Sequence, residues 1–188
     1  MLEDIKNSII ALGGFSKCEP LEMKVIESIE TKIGKKLPDD YKIFLLEYGN
    51  SIFSENIFFK PKKFSSEYIH DELLSLPNYS FHGSGLSCFY GISSDSFENS
   101  LGEILERYQD RMPNKFLPIA DDGLGNQICI SLNDEAYGYI YWWDHENEWD
   151  EDDYKDDTGE NMPEDAKFQN VYLVATSFHD FLSKLIKD

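Results

Sequence analysis

Apolar positions recur at three- and four-residue spacing early in the chain and at two-residue spacing late in it. This predicts helices first and strands afterwards. Leu2, Ile5, Ile9 and Leu12 share one helical face, and Gly13-Gly14 stops that segment. Pro20 suits the first turn of a second helix, in which Leu21, Val25, Ile29 and Ile33 step by four to a stop at Gly34. Leu37-Pro38-Asp39-Asp40 restarts the chain. Asp39 or Asp40 is expected to cap a third helix with Tyr41, Phe44, Leu45 and Tyr48 inward and Gly49 as its left-handed stop.

The middle is less regular. Asn56 to Lys60 reads as a strand closed by Pro61, Pro77 and Gly83-Ser84-Gly85 as turns, and Leu86 to Ile92 as a strand. From Asp95 to Arg111 helical spacing returns through Phe97, Leu101, Ile104, Leu105 and Tyr108, until Pro113. A meander follows: strands at Phe116 to Ala120, Gln127 to Leu132, Tyr139 to Asp144 and Val171 to Ala175, with turns at Asp121 to Asn126 and Asn133 to Gly138. The Gln127 strand alternates as a half-buried strand does, and Tyr139 to Asp144 should bury Ile140 and Trp142 or the opposite set. Ser177 is placed to cap a final helix, with Asp180 as the third residue of a capping box and Phe178, Phe181, Leu182 and Leu185 inward.

Composition narrows the class. The 188 residues, 41% hydrophobic, suit one domain with its own core and exclude a disordered chain. Net charge is −19, from 17 Lys+Arg against 36 Asp+Glu, which disfavours phosphate backbones and anionic membranes and favours basic partners. Neither a membrane span nor a secretory leader is evident, and the 3 cysteines, Cys18, Cys88 and Cys129, are too few and too scattered for a disulfide framework. A reducing, cytoplasmic setting is expected. The charge is concentrated in Asp144 to Asp165, where twelve acidic residues face one Lys155; such a run is expected to be a solvated loop.

Candidate chemistry is sparse. The 4 histidines, His70, His82, His145 and His179, form no helical metal pair, and the acidic run misses the calcium-loop pattern in registers starting at Asp150 or Asp152. Asp121, Asp122 and His145 are the only residues that suggest acid–base work, but a hairpin turn explains the two aspartates with less. No catalytic residue, metal site or cofactor is expected.

Three blocks carry a resemblance. Ile26 to Asn50, with Leu37-Pro38-Asp39-Asp40-Tyr41-Lys42 between two apolar helices, resembles the N-terminal signature of the SUKH superfamily. Phe116 to Ile130 and Gly138-Tyr139-Ile140-Tyr141-Trp142-Trp143-Asp144-His145-Glu146 are similar to its second and third blocks, in the same order. Gly49-Asn50 inverts the family's usual pair, Ser51 to Gly85 is longer than is typical, and so is the acidic run. The resemblance implies a single α+β domain, residues 1–188: a mainly antiparallel meander with N-terminal and C-terminal helices packed on it. It also implies a bacterial immunity protein that neutralises a polymorphic toxin by binding, or a regulatory scaffold like the fungal cell-wall assembly regulators, with no catalytic residues to carry over.

The partner expected from charge is a basic toxin domain, such as a nuclease, with neither nucleic acid nor membrane as partner. The contact candidates are Glu146, Glu148, Asp150, Glu151, Asp152, Asp153, Asp156 and Asp157, with Trp149 and Tyr154 among them as aromatic anchors.

Overall fold

In the computed structural model, which describes residues 1–61, 83–91 and 101–187, the predicted first helix is α1 (Leu2–Ala11), ending before Gly13-Gly14. The next segment departs from the all-helical reading. Phe15–Glu19 is a strand, β1, at the edge of a sheet, and Pro20 precedes rather than opens α2 (Met23–Ile33). Within α2 the buried face is Ile26, Ile29 and Glu30, so the stripe is turned by one position from the step-of-four reading. α3 (Asp39–Glu47) buries Tyr41, Phe44 and Leu45 as its spacing predicts. Gly49 follows it at φ +57°, and a Cβ there would lie 2.0 Å from the Glu19 carbonyl oxygen, so both conformation and space demand glycine.

Asp40 does not cap its own helix. Its carboxylate accepts from the Tyr41 amide at 2.9 Å and from the His179 amide at 3.0 Å, and so serves the first turn of α6 (Phe178–Lys184). Ser177 caps α6 as expected, accepting from the Asp180 amide at 3.0 Å. The reciprocal capping-box bond is replaced: Asp180 accepts from the Thr176 amide and hydroxyl.

β2 (Asn50–Phe53), β5 (Cys88–Phe89), β6 (Phe116–Asp121), β7 (Gln127–Ser131), β8 (Ile140–Trp143) and β9 (Val171–Ala175) continue the sheet in the order β1-β2-β5-β6-β7-β8-β9, every pairing antiparallel. From β6 onward this is the predicted meander. β3 (Ile57–Phe59), β4 (Ser84–Leu86) and β10 (Ile186–Lys187) form a small second sheet, β10-β3-β4. The expected turn at Gly83 to Gly85 is therefore partly strand, and the single strand expected from Leu86 is divided between two sheets. α4 (Leu101–Arg107) holds the described part of the helix predicted from Asp95. Residues 95–100, Ile92 and the turn at Pro77 lie outside the described residues. The class is α+β, as the resemblance implied.

The sheet is covered on both faces. α1, α3 and α6 pack together over Phe89, Leu117, Ile119, Ile128, Ile130, Ile140 and Trp142 on one face. A second, smaller cluster on the other face joins Met112, Phe116, Cys129, Tyr141, Trp143 and Val171. β7 and β8 are consequently buried at every residue, where alternation had predicted a wet face for β7 and one buried set for β8. Trp142 and Trp143 both fill core, one on each face.

Candidate functional site

The acidic run begins where β8 ends, and it is built structure rather than loop. Asp144 is 1% exposed; its amide donates to the Asn170 carbonyl at 3.0 Å, and the Asn170 side chain donates back to the Asp144 carbonyl at 2.7 Å. Its carboxylate accepts from the Glu146 amide and the Asn147 side chain, capping a 3-10 turn at His145–Asn147. Burial raises this carboxyl above its ordinary pKa, against the pull of those two donors. The His145 amide and ring Nδ1 both meet Asn126 Oδ1, at 2.9 and 2.8 Å, which ties the turn to the β6–β7 hairpin. The ring lies over Gly125, where a Cβ would stand 2.8 Å from His145 Cε1.

Asp150 then caps a short helix, α5 (Glu151–Thr158), accepting from the Asp152 and Asp153 amides at 2.8 and 3.2 Å, and Gly159 stops it in the left-handed conformation. Its inward residue is Tyr154, whose ring lies 5.7 Å from that of Trp149. Two cations hold this arm from beneath. Arg111, just beyond α4, grips Glu148 through two hydrogen bonds of 2.9 and 2.5 Å, with its guanidinium over the rings of Tyr108 and Trp143. The Glu148 hydrogen bond holds the guanidinium pKa above its usual value despite partial burial. Lys167, only 9% exposed, lies 3.4 Å from Glu151 and 3.6 Å from Glu164. Between Asp110-Arg111 on one side and Glu148 to Asp152 on the other lies an open cleft of about 560 Å³, with Met162 at its margin.

The ten residues singled out in the sequence thus divide. Glu148 and Glu151 are engaged with cations of the same chain, Asp150 is a cap, and Trp149 and Tyr154 are half-buried against each other. Glu146 is exposed, 3.1 Å from His145 Nε2. Asp152, Asp153, Asp156 and Asp157 are exposed, and among the described residues no cation lies within ion-pair distance of them. Arg111 and Lys167 were not legible as site residues. Their one signal is scarcity, since the chain has 17 basic residues to serve 36 acidic ones.

Asp121 and Asp122 shape the hairpin. Asp121 accepts from the Gly123 amide and Cys88 Sγ; Asp122, buried, accepts from the Ser84 hydroxyl, the Leu124 and Asn126 amides and the Asn126 side chain. These bonds hold the two aspartates in the turn. Among the described residues no group of three or more His, Cys, Asp or Glu side chains is arranged to hold a metal ion, and no helix is long and apolar enough to cross a membrane. Cys18, Cys88 and Cys129 are all free thiols.

The sequence model of a family described as SMI1-KNR4 cell-wall, SUKH_6, matches residues 24–160, from α2 to the end of α5. A prophage protein of Bacillus subtilis (strain 168), the SPbeta prophage-derived uncharacterized protein YokK, is 30% identical over 169 residues, which cover 87% of this chain and 73% of that protein.

Proposed function

The chain belongs to the SMI1-KNR4 family of the SUKH superfamily, and from that premise we propose that it is a cytoplasmic immunity protein. It binds one basic toxin domain stoichiometrically and neutralises it without chemistry of its own. The observation that supports this reading is the outward face of α5. Asp152, Asp153, Asp156 and Asp157 stand there on a structured element, exposed and without an ion pair among the described residues. A toxin that acts on nucleic acid needs Lys and Arg to grip phosphate. Fixed carboxylates can occupy those cations and speed the encounter.

Co-expression tests the reading. If the neighbouring reading frame encodes a large secreted protein, its C-terminal domain should arrest growth alone and lose that effect when this chain is produced with it. The purified pair should form a 1:1 complex. Changing Asp152, Asp153, Asp156 and Asp157 to Asn, with the Asp150 cap kept, should slow association roughly tenfold and flatten its salt dependence. Arrest that continues with the chain present removes the inhibitor reading; an unchanged rate and salt slope remove α5 from the interface. Weak binding to several unrelated proteins, without protection, would favour a regulatory scaffold.

A further inference from the structure

Two cations are set beneath the acidic arm, and both act through one strained turn. Asp110 takes φ +66°, a left-handed conformation that side chains other than glycine adopt rarely. The turn aims the Asp110 carbonyl at Lys167, whose Nζ donates to it at 2.5 Å. The next residue, Arg111, sends its guanidinium the other way, to Glu148. Lys167 completes the circuit by facing Glu151 in the first turn of α5. The arm is therefore held on both sides of the Asp150 cap, at Glu148 and at Glu151, from the single dipeptide Asp110-Arg111. An ammonium as buried as Lys167 is tolerated only because it has these oxygen partners.

α5 needs such an anchor. It is eight residues long and contains five acidic residues and one Lys. Asp152/Asp156 and Asp153/Asp157 are like-charge pairs at four-residue spacing, and Asp156 and Asp157 also oppose the negative end of the helix dipole. A helix this short and this charged is not expected to persist unsupported.

We propose that Arg111 and Lys167 are positioning residues for partner recognition: they clasp the acidic arm so that the outward carboxylates of α5 form a fixed array. The proposal rests on the inhibitor reading and sharpens it, because it reverses the sign expected from charge alone. Removing either cation makes the chain more negative, so simple electrostatic steering would improve capture of a basic partner. A clasp predicts the opposite.

Arg111→Met and Lys167→Met test this, with Lys24→Met as a control that makes the same charge change on a 75%-exposed side chain of α2. Backbone amides of 151–158 should exchange roughly tenfold faster in the two clasp variants and not in the control, while β6, β7 and β8 keep their protection. In the co-expression assay the same two variants should protect less well despite their added negative charge. Lys167→Arg, which keeps the cation, should restore both readouts. If Lys167→Met does not fold, Glu148→Gln opens the clasp from the acidic side and is held to the same exchange result. Unchanged exchange in 151–158, or protection that improves as the cations are removed, overturns the proposal. The exchange measurement uses no partner, so it judges the clasp even if wild-type chain gives no protection and the inhibitor reading fails.

Discussion

Glu30 illustrates how a single carboxylate can join two helices. It is 5% exposed on α2, and it accepts from the Leu37 amide at 3.0 Å and from Lys36 Nζ at 2.5 Å, with Lys42 of α3 at 3.6 Å. Burial pushes its pKa up, but the Lys36 hydrogen bond, the Leu37 amide and the two lysine charges outweigh that and leave it below the ordinary 4.5. Its contribution to stability is therefore complete above the unfolded pKa and lost as pH falls through the folded one. Glu30→Ala should cost about 1–3 kcal/mol at neutral pH, and chemical denaturation should show the gap from wild type closing below pH 4.5. Asp144 has the opposite sign. Its carboxyl is held above 3.8, so its contribution is present below the unfolded pKa and lost as pH rises through the folded one. Gly125 makes a steric prediction: at φ +101° and under the His145 ring, Gly125→Ala should cost about 1–3 kcal/mol and shift the His145 ring resonances in NMR spectra.

At the scale of elements, α5 sets stability against recognition. Asp157→Lys should raise helix stability by about 0.3–1 kcal/mol, because a cation suits the C-terminal end, and thermal melting should register the gain. The same change should slow association with a basic partner, so the two measurements should move in opposite senses. Asp150→Ala should lose about 0.5–2 kcal/mol through the missing cap. The sequence made α1, α3 and α6 legible, because their apolar spacing matches the face they bury, and it placed the β6-to-β9 meander without the full burial of β7 and β8. β1 was missed because Phe15–Glu19 buries none of its residues fully and shows no period. The wet face assigned to β7 was wrong because Met112 and Phe168, from outside the sheet, join Cys129, Phe116 and Tyr141 in one buried cluster. The acidic run read as loop because Asp is a poor helix former. What folds it is tertiary: Arg111 and Lys167 carry no local signature of the partners they find.

For the whole molecule, −19 of net charge is self-repulsion that salt relieves. Raising ionic strength from 10 to 150 mM should increase the melting temperature, by about 2–4 °C for each kcal/mol gained. Capture of a basic partner should slow over the same range. The hydrogen bond from the His179 amide to Asp40 joins residues 139 apart in sequence, and Phe178 and Phe181 lie against the same core as Tyr41 and Phe44. During synthesis α1 to α3 thus leave the ribosome without the helix that covers them. At about 5–20 residues per second, α3 waits roughly 7–28 s for α6. On the inhibitor reading, a nascent chain cannot answer an incoming toxin in that interval; a cell is defended by molecules it finished making beforehand.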